Sequence, residues 1–216
     1  MLEKMSDFFE NRLDGYDEHM MTHIESASEF YPFTAKCLPV KENCHILDLG
    51  CGTGLELEEY YLLCPTAKIT GIDLSQGMLS ALSKKFADKD ITLIVGSYFD
   101  VSFGEDVFDA AVSVESLHHF MKEEKIPLYA KLHAALKNNA YFILTDYFSL
   151  SDDEEQTHRQ NLTALKAEQD IADDEFYHYD TPLTVKHEIE ALSEAGFSSV
   201  EVLNNWGATY TIKAMK

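Results

Sequence analysis

The stretch from Ile46 to Gly54 constrains this chain more than any other: a short apolar run, Ile46 to Leu49, breaks into glycines at 50, 52 and 54 and opens onto an amphipathic stretch at Leu55. Closely spaced glycines between a strand and a helix let the backbone bend sharply and let a ligand approach where a Cβ would collide. The free N–H groups of such a helix start attract negative charge, so a bound anionic group is expected at this bend.

The chain around it keeps alternating between strand and helix. His45 to Leu49, Lys68 to Ile72, Ile91 to Val95, Phe108 to Val114 and Ala140 to Thr145 read as strands, with helices over Leu55 to Leu63, Gln76 to Phe86 and Lys122 to Leu136. In the last helix Ile126, Tyr129, Leu132 and Leu136 share a face. Nearly continuous apolar strands are what a mostly parallel sheet needs when helices cover both of its faces. Near the end, Thr184 caps a helix in which Val185, Ile189 and Leu192 share a face, and Gly196 stops it. Ser199 to Leu203 and Thr209 to Ala214, joined through Asn204-Asn205-Trp206-Gly207, predict an antiparallel hairpin at the sheet edge.

These patterns predict one domain over 1–216. Residues 1–40 form a helical cap, with Met20, Met21, Ile24 and Ala27 as its apolar stripe, and 41–146 form the ligand-binding core. Residues 147–183 are a lid or substrate insertion after the fifth strand, and 184–216 carry the last helix and the hairpin.

Charge narrows the function. Against 38 acidic residues stand 17 Lys and Arg, a formal net charge of −21, which repels a phosphate backbone. Nucleic acid is therefore excluded as the expected partner, and a small molecule is expected instead. The acidic runs Asp152-Asp153-Glu154-Glu155 and Asp173-Asp174-Glu175 read as solvated faces. No apolar run of membrane-spanning length is present, the N-terminus lacks the apolar core of a secretory signal, and a cytoplasmic location without membrane association is expected. Cys37, Cys44, Cys51 and Cys64 show no C-x-x-C spacing and read as reduced packing residues.

Spacing then separates two ligand classes. A dinucleotide fingerprint wants glycine at its first, third and sixth positions, but here the sixth is Leu55. The second strand ends in Gly71-Ile72-Asp73-Leu74, where a carboxylate can accept both hydroxyls of a ribose. A nucleoside with a charged group at its other end fits both features, and a nicotinamide dehydrogenase fits less well.

From about Tyr16 onward these blocks resemble the class I S-adenosylmethionine-dependent methyltransferases. The resemblance implies a three-layer, Rossmann-like α/β fold with a seven-stranded mixed sheet, a terminal antiparallel hairpin, an N-terminal helical cap and a helical insertion after the fifth strand. It implies S-adenosylmethionine as cofactor, with S-adenosylhomocysteine as its product. Gly50, Gly52 and Gly54 would hold the methionyl end, with Asp48 ordering the loop and reaching the amino group; Asp73 would bind the ribose and Leu74 pack on the adenine. Gly96-Ser97-Tyr98 stands where the family often has Gly-Asp-Ala, so adenine recognition shifts to Ser97 and Tyr98. Phe108 to Phe120 resembles the fourth-strand block beneath the cofactor, Asn138-Asn139 replaces a Pro-Gly turn in the fifth-strand block, and Tyr16 resembles a residue that folds over the cofactor.

Methyl transfer from a sulfonium asks chiefly for alignment and exclusion of water, and only some acceptors need a base. His119 and Glu115 are the candidate catalytic residues, and Glu115 also complements the cofactor's positive charge. Tyr16, His119, Asp146, Tyr147, Tyr177 and Tyr179 are expected to line the acceptor pocket, while Trp206 is assigned to packing or surface. His19 and His23, at i and i+4, have a spacing that can hold a metal, but no third ligand lies nearby in sequence and no metal is expected. Two alternatives share the cofactor pocket: a synthase of a carboxylated cofactor, which would need Arg12 or Arg159 in the pocket, and a non-catalytic sensor.

Overall fold

The computed structural model describes residues 1–172 and 176–216, so the acidic run Asp173-Asp174-Glu175 lies outside the described residues. Its strands are β1 (His45–Leu49), β2 (Lys68–Asp73), β3 (Asp90–Val95), β4 (Phe108–Val114), β5 (Leu136–Tyr147), β6 (Ser199–Trp206) and β7 (Thr209–Met215). They form one sheet in the order β3-β2-β1-β4-β5-β7-β6. The first five run parallel, and β7 lies antiparallel between β5 and β6. The chain thus builds outward from β1 to β3, returns, and adds β4 on the other side of β1. That reversal leaves a crevice at the carboxyl ends of β1 and β4, where open α/β sheets bind ligands.

The two-residue period of the strands sends side chains to opposite faces. Leu47, Leu49, Ala111, Phe142 and Leu144 belong to one core, with α6 (Lys122–Ala135) and α8 (Val185–Glu194) over it. Ile46, Ala110, Val112 and Ile143 belong to the other, under α3 (Ala27–Cys37), α4 (Leu55–Leu63) and α5 (Gln76–Lys85). The three-layer α/β architecture with its closing hairpin is therefore as expected. Between α6 and α8 sits a fully buried polar knot, in which Lys125 Nζ donates to Glu188 Oε2 at 2.6 Å and the Tyr129 hydroxyl donates to Oε1. A buried charge pair of this kind is tolerated only because every member has a partner.

Details depart from the sequence pattern. The N-terminal region holds α1 (Met5–Asn11) and α2 (Tyr16–His23) before α3, so the stripe Met20, Met21, Ile24, Ala27 is split across two helices. Met20 and Ala27 are buried while Met21 is exposed, because Ile24 leaves the helix in an extended conformation and ends the periodicity. The hairpin turn is shorter than expected: Asn204, Asn205 and Trp206 stay in β6, which absorbs a register shift between Val202 and Asn204, and the reversal falls at Gly207 and Ala208. Asn139 takes φ +64° within β5, the left-handed conformation asparagine tolerates. In the insertion, Asp152 to Glu155 form the first turn of α7 (Asp152–Glu168), capped by Ser151, so they face the positive end of a helix dipole as well as solvent. Glu155 also reaches α8, accepting from Thr184 N at 2.6 Å and meeting His187 Nδ1 at 2.9 Å.

Candidate functional site

The strand ends along the crevice place several of the side chains that the sequence singles out. After β1 the chain bends through Gly50, whose Cβ, if present, would lie 2.0 Å from Ser116 Oγ; only glycine lets the β1 and β4 loops come this close. Gly50 and Cys51 N–H donate to the Ile72 carbonyl, and Gly52 N–H donates to Asp73 Oδ2 at 2.9 Å. These N–H groups are already engaged, which counts against the bend as a pure anion site. Carboxylates crowd it instead. Asp48 and Glu56 are buried together, each with one unpartnered oxygen, and Thr53 Oγ1 donates to Asp17 at 2.5 Å. Burial, then the charge of Glu56, pushes the Asp48 carboxyl well above its ordinary range, and burial raises Glu56 as well. An acidic bend suits an ammonium group better than a phosphate.

Asp73, at the end of β2, keeps one edge toward Gly52 and accepts from Ser75 N with the other oxygen at 2.8 Å. Burial raises its carboxyl although these hydrogen bonds oppose the rise. A narrow slot of about 50 Å³ lies beside it, lined by Gly50, Gly52, Asp73, Leu74, Tyr98 and Ser116 and closed by Met5, Phe9 and Tyr16 from the N-terminal helices. Three residues expected to bind cofactor stand outside its lining. Asp48 lies buried on β1, the space around Gly54 is filled by Phe86, Leu82 and Leu57, and Ser97 Oγ accepts from Phe99 N in a local turn.

A second cavity, about 840 Å³, shares Phe9, Tyr16, Glu115 and His119 with the slot. Its walls come from α1 and α2, the turn after β4, the insertion and the β6–β7 hairpin, and include Phe8, Tyr147, His178, Asp180 and Trp206. Tyr177 and Tyr179 are not in its lining. Lys4 and Tyr177 form an antiparallel bridge and His178 N donates to the Glu3 carbonyl at 2.9 Å, so the segment is extended and its side chains alternate. Phe176 therefore packs on Phe99 and Phe120, while His178 and Asp180 face the chamber. Trp206, assigned above to packing or surface, is a wall residue, with its indole N–H donated to Glu29 Oε2 at 3.1 Å. Arg12 lines the chamber but pairs with Glu3 at 3.1 Å, and Arg159 pairs with Glu123 at 2.9 Å without lining either cavity.

Glu115 sits where slot and chamber meet, at φ +49°, an uncommon conformation for a residue with a side chain. Burial, reinforced by Asp146, pushes its pKa up to about 8. Next comes the 3-10 turn Leu117–His119, held from below by Asp146 at the end of β5. Asp146 Oδ2 accepts from Leu117 N at 2.8 Å, and Oδ1 meets His118 Nδ1 at 2.5 Å. Asp146 is thus not a wall residue but the support of one. Burial opposes a charge on His118, yet Asp146 outweighs it and lifts the pKa to about 9; burial and the neighbouring His118 charge drop His119 to about 4. Burial would raise Asp180, but His119, His118 and His178 around it hold it below the usual carboxylate range.

The glycine bend, the strand-end acid and the fourth-strand turn fall within a single family match: residues 46–139 fit the methyltransferase domain family. Residues 46–139 thus carry a methyltransferase domain of the class I, S-adenosylmethionine-dependent kind. Over 70 residues the chain is 41% identical to demethylmenaquinone methyltransferase of Symbiobacterium thermophilum, a match covering 30% of the chain and 28% of that protein. Over 99 residues it is 36% identical to the malonyl-[acyl-carrier protein] O-methyltransferase of Priestia megaterium, covering 42% and 33%. Both matches span about a third of the relative's length. Human N-acetylserotonin methyltransferase, solved in complex with S-adenosylmethionine, superposes with a TM-score of 0.67 over 95% of this chain and 57% of that one, at 19% identity; that likeness is one of fold. The cofactor of the family is S-adenosylmethionine, and the donor set fits it: a strand-end carboxylate for ribose hydroxyls, open space at Gly52, and acids around the bend for an amino group. No helix among the described residues is long and apolar enough to cross a membrane.

Proposed function

We propose that this chain transfers the methyl group of S-adenosylmethionine to a small-molecule acceptor held in the large chamber. The observation that carries this reading is the meeting of the two cavities at Glu115, Tyr16, Phe9 and His119, with a nucleoside-type donor set on one side and an aromatic, histidine-rich wall on the other. When bound, the cofactor supplies a methyl group already activated by a sulfonium. Asp73 holds the ribose, Leu74 and Tyr98 flank the adenine, Gly52 leaves room for the methionyl end, and Gly50 lets the turn after β4 close against the bend. Asp48 and Glu56 lie buried behind the bend, each with an unpartnered carboxyl oxygen that an amino group could meet.

On the acceptor side, Phe9 and Tyr16 cover the junction and exclude water, which favours an in-line approach. Glu115, with a pKa near 8, is mostly protonated at neutral pH and becomes able to take a proton from an acceptor oxygen or nitrogen as pH rises toward about 8. His119, neutral and with a pKa near 4, is too weak a base for that task and instead orients the acceptor. The chamber's volume and aromatic lining match a small organic acceptor. A formal net charge of −21 disfavours a phosphate backbone as the acceptor. Calorimetry with S-adenosylhomocysteine, followed by turnover of methyl-labelled cofactor against a panel of phenols, amines and carboxylates, tests the assignment. Binding together with labelled product supports it; no heat at millimolar ligand from folded protein overturns it.

A further inference from the structure

His118, His119 and Asp180 form a cluster whose oxygen and nitrogen atoms converge without satisfying one another. Asp180 Oδ1 lies 3.0 Å from His119 Nδ1 and 3.6 Å from His118 Nε2. Both Asp180 Oδ1 and His119 Nδ1 are buried, yet close as they are neither makes a hydrogen bond. Two adjacent buried atoms left unpartnered carry a cost that a third body between them removes. The His119 side chain is 3% exposed, so its unpartnered nitrogen is enclosed, and both histidines and Asp180 line the chamber.

Backbone and support are arranged for the same purpose. Thr181 N donates to the His118 carbonyl at 2.8 Å, which brings the insertion's Asp180 to the turn after β4. His118 is oriented from behind by Asp146, whose carboxylate is itself fixed by the N–H groups of Leu117 and Tyr147. A histidine whose rear nitrogen is held by a carboxylate presents its other nitrogen as a ligand; this is the usual outer support of a metal-bound imidazole. Metal–ligand lengths near 2.0–2.1 Å at tetrahedral angles put ligand atoms roughly 3.3 Å apart. The two separations here, 3.0 and 3.6 Å, bracket that spacing, and all three ligand atoms lie within 4.8 Å of one another.

We propose that His118 Nε2, His119 Nδ1 and Asp180 Oδ1 bind a divalent first-row transition cation in the wall of the acceptor chamber. Two imidazoles with one carboxylate favour zinc, cobalt, iron or nickel over magnesium and calcium, which prefer oxygen. The expectation of no metal considered only the pair His19 and His23, whose rings stack 4.9 Å apart on α2. Three protein ligands leave coordination positions for an acceptor hydroxyl, whose pKa the cation lowers. This use of the metal rests on the methyl-transfer reading; the site itself does not.

The test uses the whole chain, stripped with a chelator and titrated with Co²⁺ by visible absorption and with Zn²⁺ by calorimetry, with S-adenosylhomocysteine binding measured on the same samples. One ion per chain is expected. Asp180→Ala, at a half-exposed side chain, weakens it more than about tenfold, and Asp146→Asn roughly 10- to 100-fold, as loss of an outer support does. The double variant His19→Ala/His23→Ala keeps the wild-type metal affinity. Stripped protein that takes up neither ion at about 100 µM, an Asp180→Ala variant that binds like wild type, or loss that follows His19 and His23 overturns the site. Binding of S-adenosylhomocysteine without metal removes only the metal proposal, whereas metal binding without S-adenosylhomocysteine removes the methyl-transfer reading and leaves the site standing.

Discussion

The slot beside the glycine bend and the chamber next to it are assembled in opposite ways. Gly50, Gly52, Asp73, Leu74 and Tyr98 come from three neighbouring strand ends, each placed by parallel pairing that leaves little freedom. The chamber gathers residues from both ends of the chain and from its middle: helices α1 and α2, the turn at His118, the segment at His178 and Asp180, and the hairpin at Trp206. One half is fixed by the sheet, and the other by how appendages settle on the sheet. The chemistry divides likewise, with carboxylates around the bend and histidines with aromatics around the chamber.

Removing what both halves stand on gives the largest expected effect. Glu188→Ala strands Lys125 as a buried unpaired charge and should cost about 3–5 kcal/mol in urea unfolding. A loss under about 1 kcal/mol would mean that the α6–α8 knot is open to water in solution.

Next comes a change confined to the slot. Asp73→Ala should weaken S-adenosylhomocysteine binding by about 1.5–3 kcal/mol, the scale of lost charge-assisted hydrogen bonds, while zinc affinity stays at the wild-type level. Equal loss of both ligands would erase the distinction between the compartments.

The smallest effect lies at their junction. The raised pKa of Glu115 means that the folded chain holds this proton more tightly than the unfolded chain. Its contribution to stability is therefore complete below the ordinary glutamate range and is lost as pH rises toward about 8. A sulfonium favours the ionised carboxylate and a thioether does not. The preference for S-adenosylmethionine over S-adenosylhomocysteine should accordingly grow from pH 6 to about 8 and then level off, with Glu115→Gln flattening the curve. Parallel titrations of the two ligands across that range check it, and a ratio independent of pH in the wild type would place Glu115 away from the positive sulfur.

What the sequence disclosed follows the same division. The bend at Gly50 to Gly54 and the acid at Asp73 sit at the ends of contiguous apolar runs, so local pattern located them. The reading of Asp146 as a pocket wall failed because a strand-end residue can face the ligand or the loop beside it, and only the pairing of β5 with β4 turns it under His118. Tyr177 and Tyr179 attracted attention as aromatic rings, but an extended segment alternates. The pattern Phe176, His178, Asp180 was the available signal, and nothing local announced that Lys4 would bridge Tyr177 and fix its phase. Trp206 was misplaced because the hairpin reverses later than its asparagines suggest.

Glu10 accepts from Ser75 Oγ and from Gly77 N–H at the start of α5, which latches the N-terminal segment over the crevice, while Phe9 and Tyr16 of that segment belong to the walls of both compartments. The two compartments therefore share one door. Any displacement of the segment would open both at once, and it would have to break the Glu10 bonds, the Lys4–Tyr177 bridge and the Thr53–Asp17 bond together.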